Sequence, residues 1–182
     1  MKEISLNILD IAENSVKAGA TTVGISINEN DEFLEFVITD DGKGMTADFV
    51  ARVTDPFTTT RTTRSVGLGL PLLKMEAEMT GGEFSVESRS ETEYADHGTK
   101  VYAKFIKSSI DCIPLGDIVG TVCTLLQGHG GENIDFLFTH RIGEKEVSLS
   151  TVEMKEMLGD VPISSPEVIA WVREYLTEGY GE

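Results

Sequence analysis

The alternation of apolar and polar positions divides this chain into short, distinct elements. From Glu3 to Ala18, Ile4, Ile8, Leu9, Ile11, Ala12 and Val16 share one broad arc at 3.6 residues per turn, while Asn7, Asp10, Glu13, Asn14 and Lys17 share the opposite arc. This predicts an amphipathic helix, closed by Gly19 at the usual C-terminal position. Val23, Ile25 and Ile27 then alternate with polar neighbours, as do Leu34, Phe36 and Ile38, predicting a hairpin that ends at Asp40 and Asp41. A glycine-broken turn, DDGKGM, leads to a short helix over about 46–53. Residues Thr54 to Ser65, rich in threonine and arginine, read as a mobile loop. A further helix opens at Gly67 to Gly69 and runs to about Met79, with Pro71 tolerated in its first turn. Two strands follow, around 84–88 and 99–106.

Past Lys107 the character changes. Pro114 and Leu115 are expected to start a helix reaching about Gln127. A hairpin follows over 134–139 and 146–150, with Gly143 in its turn. Two short helices finish the chain, one from Thr151 capped by Ser150 and one from Ser165 with Pro166 at its first position. Trp171 and Tyr175, four apart on that last helix, are expected in the core rather than as an anchor for a partner. The order predicts an α+β sandwich, helices on one face of a mixed or antiparallel sheet, over residues 1–108. Residues 109–182 form a small α/β extension, a candidate region for partner binding or dimerisation.

Composition narrows the function. The chain has 15 basic and 31 acidic side chains and a formal net charge of −16. That argues against nucleic acid and against anionic membrane surfaces, both of which need clustered Lys and Arg. The N-terminus carries early acidic residues and no long apolar run, so it is not read as a signal peptide, and nothing approaches the apolar length of a membrane span. Cys112 and Cys123, without partners at ligand spacing, suit free thiols in a reducing compartment. A cytoplasmic location is expected.

Four blocks carry candidate chemistry. On the first helix, the Asn14 amide oxygen suits a magnesium ion already carrying phosphates, and Lys17 lies one turn on; the same residues also suit a solvated helix face. In the second block, Asp40 ends a strand and has the acceptor oxygens for an exocyclic amine such as that of adenine. Gly42 and Gly44, in the run to Met45, let backbone pass close to a flat ring, although an ordinary turn has the same composition. In the third, DPFTTTRTTRSVGLGL, Gly67 and Gly69 at a helix N-terminus offer unpaired N–H groups to phosphate, with Arg61 and Arg64 adding charge. The fourth is Gly98-Thr99, heading the last strand of the first segment.

Together these blocks resemble the GHKL superfamily, which includes gyrase, the heat-shock chaperone, histidine kinases and MutL. Its ATP-binding module, the Bergerat fold, is a helix-and-mixed-sheet sandwich. The resemblance covers roughly Met1 to Lys107. Glu13-Asn14 resembles the N box and implies Asn14 as magnesium ligand. AENSVKAGAT looks like MutL, whereas Lys17 looks like the phosphate-binding lysine of histidine kinases. Asp40-Asp41-Gly42-Lys43-Gly44 resembles the first glycine box, Pro56-Phe57 the F box, Val66-Gly67-Leu68-Gly69-Leu70 the second glycine box, and Gly98-Thr99 the last. In hydrolytic members a glutamate stands four residues before the magnesium-binding Asn; here Asp10 stands there, with Glu13 as the alternative carboxylate. The resemblance implies ATP and magnesium as ligands, a stand-alone slow ATPase or protein kinase with a lid over 54–65, and a protein partner or substrate, homodimerisation being one option. The alternative is a non-hydrolysing, ATP-sensing module.

Overall fold

The computed structural model describes residues 2–54, 69–131 and 133–181. Its elements are α1 (Ile4–Lys17), β1 (Thr22–Glu29), β2 (Phe33–Asp40), α2 (Ala47–Val53), α3 (Gly69–Met79), β3 (Glu83–Arg89), β4 (Gly98–Ile106), α4 (Ile118–His129), β5 (Asp135–Ile142), β6 (Lys145–Ser150), α5 (Thr151–Leu158) and α6 (Pro166–Tyr180). The strands form one six-stranded sheet in the order β3-β4-β2-β1-β5-β6. Every neighbouring pair is antiparallel except β1 with β5, which makes the sheet mixed. The α+β sandwich expected from the sequence is therefore present.

The period-2 pattern explains which face of the sheet is covered. Val23, Ile25 and Ile27 on β1, Leu34, Phe36 and Ile38 on β2, and Val101, Ala103 and Phe105 on β4 are all buried. Their intervening neighbours are more exposed, as alternation on a one-sided sheet requires. Phe36 and Phe105 stack with ring centroids 6.5 Å apart at the centre of this face. From the helices come Ile4, Ile8, Ile11 and Ala12 of α1, Leu73 and Ala77 of α3, and Val122, Leu125 and Leu126 of α4.

Residues beyond Lys107 build on the same sheet. β5 runs parallel to β1 from Thr22↔Asp135 to Glu29↔Ile142, burying Phe136 and Phe138 beside the β1 core residues. Pro114 and Leu115 do not start a helix as expected. Their carbonyls accept hydrogen bonds from the N–H groups of Ile4 (2.9 Å) and Ser5 (2.8 Å), covering two of the orphan donors at the start of α1. The helix begins at Ile118, where the Asp117 side chain accepts from Gly120 N–H. Gly143 takes a positive φ of 59° in the β5–β6 turn, as its sequence position predicts.

Trp171 and Tyr175 depart from expectation. Val168, Val172 and Leu176 supply the buried face of α6, while Trp171 and Tyr175 are 47% and 44% exposed and stack on each other. His129 ends α4 and His140 is buried within β5.

Candidate functional site

The register of the sheet places the first two site residues. Asp40 continues the inward series of Leu34, Phe36 and Ile38 to the last position of β2. Thr99 is its cross-strand partner on β4, so both side chains lie on the helix-covered face where these two inner strands end. Ser15 of α1 sits above them. Its hydroxyl lies 2.6 Å from Asp40 Oδ2, while Gly42 N–H donates to Asp40 Oδ1 at 3.0 Å. One carboxylate is thus fixed at both oxygens, each with acceptor capacity left over.

The turn after Asp40 is fastened on both sides. Lys43 N–H donates to the Ala18 carbonyl at the end of α1 (3.0 Å), and Met45 N–H donates to Ser88 Oγ (2.8 Å). Ser88 Oγ is also 2.8 Å from Thr99 Oγ1, linking β3 to β4. His97 Nδ1–H donates to the Gly42 carbonyl at 2.6 Å. Gly44 has a φ of +63°, and a methyl there would collide with the Arg89 carbonyl; only glycine meets both constraints.

Between α1, this turn, α2 and α3 lies a cleft of about 490 Å³. Of the sequence-predicted residues, Asn14, Lys17, Asp40, Gly44, Met45, Leu70 and Thr99 line it. Ile11, Met45, Phe49, Leu70 and Val101 give it apolar walls, while Asn14, Lys17 and Asp40 are polar groups converging on one space. That combination, apolar walls with convergent polar groups, is what small-molecule sites present. Gly42 is buried below the lining, against Ala18. Asp10 lies one turn before Asn14, and its carboxylate faces Gly69 at the start of α3 so closely that a methyl on Gly69 would collide with it. Glu13, on the same polar arc, turns to α4, where its Oε1 is 2.9 Å from His129 Nε2. Phe57, Arg61, Gly67 and Leu68, with most of the expected 54–65 lid, lie outside the described residues.

Asp41, next to Asp40, has a structural task. It accepts from the N–H groups of Thr21 (2.7 Å) and Thr22 (2.8 Å) and from the Thr21 hydroxyl, tying the end of β2 to the start of β1. Partial burial pushes its pKa up, but these hydrogen bonds outweigh that and hold it below the usual carboxylate value. A depressed folded-state pKa stabilises the fold above the unfolded value and loses that contribution as pH falls through the folded value. Asp41→Asn should therefore lower stability at pH 7 by about 1 kcal/mol, solvent screening keeping the effect small. Urea midpoints of mutant and parent should converge in acid.

Sequence reasoning missed Ser15, Ser88 and the α2 contribution of Phe49 and Arg52. Ser15 left one signal: it is a polar residue on the apolar arc of α1, one turn after Ile11, and is 3% exposed. Among the described residues no group of three or more His, Cys, Asp or Glu is placed to hold a metal by itself. A metal at Asn14 fits only if a ligand brings most of its oxygens. No helix among the described residues is long and apolar enough to cross a membrane.

Comparison with known proteins bears on this cleft. Residues 2–109 match the model of a family described as "Histidine kinase-, DNA gyrase B-, and HSP90-like ATPase". Curated relatives include proteins described as NtrY-like sensor histidine kinases. That of Rickettsia conorii is 26% identical over 90 residues, covering 49% of this chain and 15% of its own length. That of Rickettsia prowazekii is 24% identical over 106 residues, covering 58% and 17%. The chain thus spans under a fifth of the length of these relatives. Among solved structures, the Aquifex aeolicus MutL ATPase domain complexed with ADP aligns with a TM-score of 0.54 at 16% identity, covering 86% of this chain and 67% of that one. The N-terminal domain of a DNA repair protein aligns with a TM-score of 0.54 at 16% identity, covering 82% and 53%. These structural likenesses concern the fold and extend past residue 109.

Proposed function

Since the chain belongs to the family of histidine kinase-, DNA gyrase B- and HSP90-like ATPases, we propose that the cleft binds ATP with a magnesium ion and that the protein turns ATP over slowly, to water or to a protein acceptor. The observation that carries this reading is the convergence of Asn14, Lys17, Asp40 and Thr99 on one apolar-walled cleft, from three separate sequence blocks. Asp40, held by Ser15 and the Gly42 amide, keeps acceptor capacity for the exocyclic amine of adenine. Met45, Phe49 and Val101 provide apolar contact for the ring. Asn14 supplies one oxygen to magnesium, whose other ligands come from phosphate and water. Lys17 meets the phosphates as a point charge. Asp10 orients or deprotonates the attacking water, its position beside the first residue of α3 setting it near the phosphate-facing helix N-terminus.

Calorimetric titration with ATP, with and without magnesium, tests the reading. Saturable binding that weakens on magnesium removal is expected; absence of ATP binding overturns it. Asn14→Ala should lose the magnesium-dependent part of the affinity, about tenfold on the scale of a charge-assisted contact, with the fold intact because Asn14 is only partly buried. Equal affinity of mutant and parent with magnesium present would remove Asn14 from the metal site. The partner is proposed to be a protein, in a cytoplasmic setting.

A further inference from the structure

The other edge of the molecule carries a second concave feature, formed by α5 and α6. A groove of about 280 Å³ lies between them, lined by Met154, Met157, Leu158, Glu167, Val168 and Trp171. Met157 is 72% exposed, and Trp171 stacks on Tyr175 with centroids 5.2 Å apart, so large apolar surface faces solvent here. Exposed apolar surface rimmed by polar residues is a mark of interaction sites. Methionine suits such a groove because its unbranched chain adapts to the shape that enters.

Charge decides what enters. Along α6, Glu167, Trp171, Glu174, Tyr175 and Glu178 recur at helical spacing on one exposed face, so carboxylates and aromatics alternate along it. On α5 and its end, Glu153, Glu156 and Asp160 are exposed beside Met157. The two basic residues of these helices do not offset them at the groove. Lys155 Nζ is turned to Asp135 Oδ1 (2.8 Å) and the Ile134 carbonyl (3.0 Å), and Arg173, two residues on from Trp171, falls about 160° round the helix from it. From residue 109 onward the sequence holds 4 basic and 13 acidic residues. A second copy of the chain would bring like charge to this face, and an anionic lipid surface would be repelled.

We propose that the α5–α6 groove docks a basic amphipathic helix of a partner protein, its apolar side chains seated between Met157 and Trp171 and its Lys or Arg residues paired with the acidic rim. This is the helix-in-groove mode, in which apolar anchors supply affinity and the rim supplies orientation and rate. The groove shares no lining residue with the cleft between α1 and α3.

The full chain carries one tryptophan, so Trp171 emission reports directly on the groove. The probe is a synthetic peptide of about 18 residues, enough for a helix of about five turns, with Leu along one face and Lys elsewhere. Emission should shift saturably with one peptide per chain, and affinity should fall as salt rises. A Leu/Glu peptide of the same pattern, and a Leu/Lys peptide scrambled to destroy the apolar face, should each bind at least tenfold more weakly. Met157→Glu should weaken the first peptide at least tenfold by calorimetry without changing the thermal midpoint, since Met157 is mostly exposed. Equal binding of the scrambled peptide, or unchanged binding by Met157→Glu, overturns the proposal. So does equal binding of the Leu/Glu peptide. A dimer in sedimentation that Met157→Glu dissolves would reassign the groove to self-association and overturn it too.

Discussion

Asp10→Asn should nearly abolish ATP turnover, lowering the single-turnover rate by about 100- to 10,000-fold, while ATP affinity stays within a few-fold. Two features of the helix motivate this. Asp10 and Asn14 are one turn apart on the same face of α1, and the Asp10 carboxylate abuts Gly69, where the amide groups of α3 begin. A base there lies beside helix N–H groups suited to phosphate, and none of the residues assigned to adenine depends on it. Asp10→Glu, one methylene longer, should keep or raise the rate. Glu13→Gln is the control, because Glu13 is engaged with His129 of α4. Parent-like hydrolysis in Asp10→Asn with loss in Glu13→Gln would transfer the role to Glu13. ATP binding without hydrolysis in every variant, parent included, would favour a kinase or a sensor over a hydrolase.

The second large effect is expected at Asp40. Asp40→Asn should weaken ATP by about 1–3 kcal/mol, the cost of a buried hydrogen bond left unmade, which is about 5- to 150-fold in affinity. The local geometry makes this a clean substitution. The Asn oxygen can still accept from Gly42 N–H, and its amide can donate to Ser15 Oγ. Ser15 then turns its proton to the Ile11 carbonyl, 3.2 Å away. The fold is thereby spared, and the loss falls on the base. GTP, which presents a carbonyl where adenine presents an amine, should be weakened less. Calorimetry with both nucleotides decides it: parallel losses would show that Asp40 does not read the base.

The elements and the site were legible in the sequence to different degrees, for physical reasons. β1, β2 and β4 announce themselves because one face is dry and the other wet, so their apolar residues alternate. Asp40 falls in that same alternation, which is why a strand-ending carboxylate could be singled out before its surroundings were known. Ser15 could not be, since its role depends on a strand 25 residues away. Local propensity starts α4 too early because Pro114 and Leu115 satisfy the donors of α1, a long-range demand that it does not encode. Hydrophobicity alone puts Trp171 and Tyr175 in the core. The narrower stripe of Val168, Val172 and Leu176 already fills the buried face of α6. The parallel pairing of β1 with β5 had no local signature, because a parallel partner is chosen by a crossover rather than by a turn.

That pairing has a consequence for synthesis. β1 lies inside the sheet, yet its second neighbour, β5, begins at Asp135, long after β1 ends at Glu29. As the chain leaves the ribosome from its N-terminus, the hairpin β1–β2 can form early while one ladder edge of β1 stays open. Ser5 and Ile4 likewise wait for the carbonyls of residues 115 and 114. An open apolar strand edge is a template for pairing with other nascent chains. The N-terminal half therefore reaches its protected form only when β5 docks, and substitutions that slow this docking should raise aggregation during translation more than they lower the stability of the finished protein.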